Sequence, residues 1–342
     1  MGDMGVANQG LNALANRMWY QWRRNNWIIH PGRFAPHYAD VTIDRPIFLL
    51  GEQGGGLTLV SRMLRRHPNV VSITGDSSYW SGADEMQKVM ALRLPPSLRL
   101  GGRYLARDVD HPRFTPPRSW TYASDDLIGY YRNTAADYDP KSAVTLRRII
   151  GEALHRFGGC RPNLRFIDKS QVFTVKMSFV NALLQELHPH FVLVARNPYA
   201  ACYRAAQGKA GDMRRYAASI SFEERLDICA QHWSNSMHAV LADRAETPHF
   251  AFWRFEDILR NPVQHLHEIC EFVGLDYSDR LVPGAEDKIP FGSRYAGRWY
   301  PLRPDVNESY LNELNAHHIE IIDRRCAELA ERLGYKRPHP AR

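Results

Sequence analysis

Three consecutive glycines, Gly54, Gly55 and Gly56, stand between an apolar run, "PIFLL" at 46–50, and an amphipathic one, "LTLVSRMLRR" at 57–66. A strand that turns through glycine into a helix start presents backbone N–H groups to an anion, most often a phosphate. The turn carries no cation between Gly51 and Thr58, and it lacks the lysine of the ATP-binding pattern G-x-x-x-x-G-K-[ST]. Two basic residues elsewhere could complete such a site. "RFIDKS" at 165–170 ends an apolar run in Asp168, Lys169 and Ser170, and "FVLVARNPYAACYR" at 191–204 ends another in Arg196 ahead of an Asn-Pro turn. In a parallel sheet these strand ends share one edge, which predicts a single anion pocket made of the glycine cradle, Lys169 and Arg196.

The elements that must position these residues follow from the apolar pattern. Candidate strands are 46–50, 69–74, 164–168, 190–195 and 249–254, several of them near-continuous apolar runs of the kind buried on both faces of a parallel sheet. Between them lie helical faces: Met177, Val180, Leu184 and Leu187; Phe222, Leu226, Cys229, Trp233, Met237 and Val240; and Leu311, Leu314, Ile322, Cys326, Leu329 and Leu333. The alternation predicts an α/β fold, a doubly wound and mostly parallel sheet with a P-loop-like phosphate cradle. Residues 76–163, rich in aromatic and turn residues, interrupt it and read as a helical and looped insertion over the functional edge of the sheet. The whole of 1–342 is expected to be one domain, with 1–45 an N-terminal helix and lead-in.

Bulk properties narrow the partners. The 342 residues carry a net charge of +7, which suits an anionic ligand or membrane surface, but no Lys/Arg block suggests nucleic acid. Five cysteines without CxxC pairing argue for reduced thiols, and the histidines at 188–191 and 314–320 lack metal-ligand spacing, so no metal is expected. No run reaches the ~18 apolar residues of a membrane span. The opening residues lack the order of a signal peptide, so a cytoplasmic location is expected. Residues 11–24 form an amphipathic stretch that either covers the core or touches a membrane surface. Oligomeric state is not legible.

From Pro46 to about Tyr335 the sequence resembles the sulfotransferases that use 3′-phosphoadenosine 5′-phosphosulfate (PAPS). "PIFLLGEQGGGLTLV…HPNV" is similar to that family's first strand and loop, and Arg196-Asn197-Pro198 to its "R-[DN]-P". Arg254-Phe255-Glu256-Asp257-Ile258 with Pro262 is similar to "[RK]-Y-E-D-L…P", and Gly297-Arg298-Trp299 to a late "G-R-W" loop. The resemblance implies that Gly54, Gly55, Gly56, Leu57 and Thr58 bind the 5′-phosphosulfate. It also implies that Arg196 contacts the 3′-phosphate and that Gly297 and Arg298 complete the nucleotide site. The reaction it implies is sulfuryl transfer from PAPS to a hydroxyl or amine of a small molecule or glycan. PAP would be the product of an in-line displacement that needs no metal and no covalent intermediate.

The sequence departs from the family in the loop itself. Gly54 stands where the family has Arg or Lys, Gly55 where it has Ser, and Leu57 where it has the first Thr. The family's cation neutralises charge on the bridging oxygen, and losing one such donor typically costs ~10²–10³ in rate. Lys169 is the candidate replacement; the alternative is an ordinary exposed lysine. Arg204, eight positions after Arg196, takes the place of a serine and either faces solvent or supplies a bidentate phosphate fork. Asp76 in "TGD" is either the base that takes the acceptor's proton or, with Ser77 and Ser78, a helix cap. Glu256 and Asp257 are expected to fix backbone and helix start. Tyr79, Trp80, Trp120, Tyr122, Tyr130 and Tyr131 suggest flat apolar walls for an acceptor. The competing function is a catalytically reduced homologue that binds a nucleotide or acts as an interaction partner. A P-loop kinase is disfavoured, because no lysine follows the last glycine and no Asp-rich strand end offers a magnesium site.

Overall fold

Four of the apolar runs are buried at every position, which only strands covered on both faces allow: β1 (Ile47–Leu50), β2 (Val70–Ser72), β3 (Arg165–Asp168) and β4 (His190–Ala195). The fifth, β5 (Phe250–Arg254), is half-buried throughout, as befits an edge strand. The computed structural model describes residues 18, 41–75, 85–86, 121–158, 161–209, 213, 219–287 and 302–341. All the strand pairs are parallel, in the order β2-β3-β1-β4-β5. The register runs from Ile47 opposite His190 to Leu50 opposite Leu193, and from Phe191 opposite Phe250 to Ala195 opposite Arg254. Each carboxyl end therefore emerges on the same edge.

Helices connect and cover the strands. In chain order they are α1 (Leu57–Leu64), α2 (Asp125–Tyr131), α3 (Pro140–Gly158), α4 (Met177–Leu184), α5 (Pro198–Arg204), α6 (Phe222–Asp243), α7 (Phe255–Arg260), α8 (Pro262–Val273), α9 (Glu308–Leu311) and α10 (Ala316–Arg332). Alternate strand residues face opposite ways, so the sheet feeds two cores. Phe48, Leu50, Phe166, Phe191 and Leu193 pack under α3, α4, α6 and α10, while Ile47, Leu49, Ile167, Val192 and Val194 pack under α1, α7 and α8.

The stretch between β2 and β3 has two uses. The segment entering α2 lies near the carboxyl edge, with the Ala123 amide against His232 of α6. The longer α3 is a layer of the core: Leu146, Ile150, Ala153 and Leu154, spaced for one helical face, are all buried in the first cluster. Tyr122 and Tyr131 belong to that core too, at 3% and 2% exposure, so neither ring is an open acceptor wall. Tyr122 donates its hydroxyl to the Gln171 carbonyl at 2.6 Å, and among the described members of this group only Tyr130 stands exposed. Tyr79, Trp80, Trp120, residues 11–17 and 19–24, and the lead-in up to residue 40 lie outside the described residues.

The end of β4, the strand that leads into Arg196, is held from two sides. Trp233 of α6 donates its indole N–H to the Arg196 carbonyl at 3.0 Å, and Tyr335 donates its hydroxyl to the Ala195 carbonyl at 2.8 Å. Trp233→Phe keeps most of the apolar burial and removes one donor to a buried carbonyl. The expected loss is about 1–3 kcal/mol of unfolding free energy with an unchanged denaturant slope, measurable by urea titration.

Candidate functional site

The glycine loop leaves β1 at Gly51, whose N–H donates to Thr174 Oγ1 at 2.9 Å while that hydroxyl donates back to the Gly51 carbonyl at 3.0 Å. The Gly55 amide then closes a turn on the Glu52 carbonyl at 3.0 Å. Each glycine of the triplet meets a different neighbour. Gly54 has φ +88°, and a Cβ on it would lie 3.3 Å from Arg204 Nη1. A Cβ on Gly55 would lie 2.8 Å from the Glu52 carboxyl, so a serine cannot fit without moving that acid. Gly56 has φ +94°, and its Cβ would fall 2.2 Å from the Phe255 ring. Glycine adopts these backbone angles at little cost, and no other residue does.

Gly56 is also the N-cap of α1, with no side chain to cap it. The helix's own bonding starts with the Leu59 amide donating to the Gly56 carbonyl at 2.8 Å. The amides of Leu57 and Thr58 precede that first bond, and amides at such a helix start are the donor set an anion needs.

Arg196 follows directly on β4 and is 4% exposed. Its Nε donates to Asn307 Oδ1 at 2.7 Å and its Nη1 to the Gly54 carbonyl at 3.2 Å, tying the loop to the segment before α9. Phe255 and Tyr310 lie against the guanidinium, at 5.7 and 5.9 Å from ring centroid to Cζ. Burial first, and the neighbouring Arg204 charge second, bring its pKa down to about 10, so it stays cationic at neutral pH. Arg204 ends α5, partly exposed, on a helix whose Tyr199–Tyr203 stretch is buried. That helix is started by Pro198 and by the Asn197 side chain, which accepts from the Tyr199 and Ala200 amides.

Lys169 is engaged by another side chain. Its ammonium is 1% exposed and pairs with Glu85 Oε1 at 2.8 Å, beneath the surface beyond β3. The strand-end position expected from the sequence is found, but the charge is committed to a buried carboxylate. Glu256 and Asp257 hold backbone and helix start: Glu256 accepts from the Asn197 amide at 2.9 Å, and Asp257 from Arg254 and Arg260 at 2.6 and 2.8 Å. Leu57 is buried in the second core and Thr58 is half-buried at the helix start. Asp76, Gly297 and Arg298 lie outside the described residues.

Glu52 is the residue that sequence reasoning passed over. Its carboxyl is buried beneath the loop, where Oε1 accepts from the Arg196 amide at 3.1 Å. Burial pushes it from the usual carboxylate range up to about 8, against the opposing pull of the Arg196 amide and its own. Behind it is a cavity of about 20 Å³ lined by Glu52, Gln53, Cys202, His232 and Trp233, far too small for a nucleotide. Burial holds His232 neutral, with a pKa of about 3. Its ring lies between the Gln53 and Ala123 amides at 3.4 and 3.2 Å, and accepts from one or the other according to tautomer. Among the described residues, no group of three or more His, Cys, Asp or Glu is arranged to hold a metal, and no helix is long and apolar enough to cross a membrane.

A family model described as "Sulfotransferase family" matches residues 46–279. The fold is similar to that of sulfotransferase STF9 from Mycobacterium avium, at 13% identity and a TM-score of 0.51, over 91% of this chain and 82% of that one. Weaker likenesses link it to the sulfotransferase domain of the Synechococcus PCC 7002 olefin synthase (15% identity, TM-score 0.46, 83% of this chain and 95% of that one). Mouse sulfotransferase SULT7A1 complexed with PAP is similar at 12% identity and a TM-score of 0.44, over 85% of this chain and 89% of that one. At such identities a structural likeness speaks to the fold alone. No curated protein matches the sequence.

Two stability measurements follow from the buried charges. Lys169→Met leaves the Glu85 carboxylate buried opposite a methyl group, with an expected loss of about 3–5 kcal/mol. The Lys169→Met/Glu85→Gln double variant should lose clearly less than the two single losses added together; strict additivity in urea unfolding would deny the coupling. Glu52 acts through pH. Its folded pKa is raised to about 8, so the folded state binds the extra proton, and stability falls as pH rises from the unfolded carboxylate value through 8. Glu52→Gln should flatten that decline, seen as a thermal midpoint that changes less between pH 5 and 8 than the parent's.

Proposed function

This chain belongs to the sulfotransferase family, and on that premise we propose that it moves a sulfuryl group from PAPS to a hydroxyl or amine of a small molecule or glycan. The observation that carries the reading is the meeting of Arg196, Arg204 and the amide start of α1 at one sheet edge. Two fixed cations and a set of backbone donors suit a ligand with two separate anionic groups, and this donor has them at its 3′ and 5′ positions. When bound, the donor supplies an activated sulfuryl group.

In this proposal the loop from Gly54 to Thr58 holds the 5′ group through backbone N–H groups, with the Thr58 hydroxyl beside them. Arg196 takes the 3′-phosphate with those guanidinium N–H groups not engaged by Asn307, Gly54 and Val306. The buried Glu52 carboxyl, protonated at neutral pH, adds no negative charge beneath the anion. Asp76 as the base, and Gly297 with Arg298 as nucleotide contacts, belong to the proposal on sequence pattern alone. One observation favours the second reading, a nucleotide-binding homologue without transfer: the loop is not basic and Lys169 is sealed against Glu85.

Titration with PAP, 5′-AMP and ATP tests the donor assignment. PAP should bind more tightly than 5′-AMP or ATP. Arg196→Lys should weaken PAP by roughly 10–100-fold through loss of the guanidinium fork, and 5′-AMP by no more than a few-fold. A variant that keeps the parent's preference for PAP over 5′-AMP removes the 3′-phosphate assignment. Sulfate released from PAPS, or its transfer to a panel of acceptors, separates the enzyme from the binder.

A further inference from the structure

We propose that Arg204, reaching in from the end of α5, is the cation that neutralises the 5′-phosphate as the sulfuryl group departs. The inference rests on the donor reading above. As an oxygen or nitrogen of the acceptor forms its bond to sulfur, the bond from sulfur to the bridging oxygen breaks. Its electron pair stays on the 5′-phosphate, and the acceptor's proton passes to a base or to water. The phosphate gains one unit of negative charge in a poorly solvated place, where a fixed donor matters most. A guanidinium meets that need without giving up its own proton.

Nothing in residues 51–58 can do this, because the stretch contains no Lys or Arg. Lys169 is held by Glu85. Arg204, by contrast, places Nη1 3.3 Å from where a Cβ of Gly54 would stand, in the direction a side chain at that loop position would take. Gly54's positive φ fits the same exchange, since any other residue there would be strained. The charge environment points the same way. Among the described residues no carboxylate pairs with the Arg204 guanidinium, and its charge lies close enough to the Arg196 guanidinium to help depress that group's pKa. Of the acids in the wiring of the site, Glu256 is bonded to the Asn197 amide and to the Asn307 side chain, and Glu52 to the Arg196 amide. Like charges brought together on rigid elements repel unless an anion joins them.

The test compares three ligands, PAPS, PAP and 5′-AMP, on the parent, Arg204→Met and Arg204→Lys. PAP carries one more charge on its 5′-phosphate than PAPS does. Arg204→Met should therefore weaken PAP and 5′-AMP by roughly 10–100-fold and PAPS clearly less. Release of sulfate from PAPS should slow by ~10²–10³, and Arg204→Lys should recover part of both. Unchanged 5′-AMP affinity with weakened PAP would assign Arg204 to the 3′-phosphate and overturn the proposal. Equal weakening of PAP and PAPS would overturn it as well, since the residue would then not sense the new charge. If the parent binds neither PAP nor PAPS, the donor reading itself fails, an outcome distinct from both.

Discussion

A backbone N–H of one strand end and the carboxyl group of another hold the site together. Glu52, just past β1, accepts from the Arg196 amide just past β4, and the Arg196 side chain returns to the Gly54 carbonyl. The exchange joins the exits of adjacent parallel strands at a point where the sheet's own ladder has stopped. Asn307 and Glu256 extend the same wiring to the segment before α9 and to α7. Because the Glu52 carboxyl occupies the space below Gly55, the loop's lack of side chains is partly a packing requirement. The triplet is thus set by three separate neighbours, Arg204, Glu52 and Phe255, drawn from three parts of the chain.

Much of this was legible in the sequence because parallel strands buried on both faces must be continuous apolar runs. The runs at 46–50, 69–74, 164–168, 190–195 and 249–254 correspond to β1–β5 to within two residues at each end. The carboxyl-edge rule then placed Gly51, Lys169 and Arg196 on one side. The periodic face of α3, Leu146, Ile149, Ile150, Ala153 and Leu154, was equally present in the letters, but the aromatic and turn-rich segment around it masked its role as a core layer.

What could not be read are pairings across long separations. Glu85 lies 84 residues before Lys169, and nothing in either neighbourhood announces the ion pair. Glu52 occupies an unremarkable loop position; a lone acid carries no periodicity, and its burial depends on strands and helices that fold over it. Arg204 shows the same limit from the other side. Its distance from Gly54 along the chain is large, and only the packing of α5 against the sheet edge brings them together. Tyr122 and Tyr131 failed as acceptor walls for the converse reason: aromatic residues suit a pocket and a core equally until burial is known.

The glycine that starts α1 has a consequence for competition at the helix end. Most helices begin with a Ser, Thr, Asp or Asn whose side chain occupies the first amides. Any incoming anion must then evict that side chain and leave it to find water. Gly56 offers no such rival. Glu52 and Phe255 fill the space that side chains at Gly55 and Gly56 would take, and Arg196 donates to the Gly54 carbonyl, so the loop ahead of the Leu57 and Thr58 amides is held by its neighbours. In the binding proposed above, an anion at these amides would have no capping side chain to displace, and little of its binding energy would be diverted into rearranging the protein.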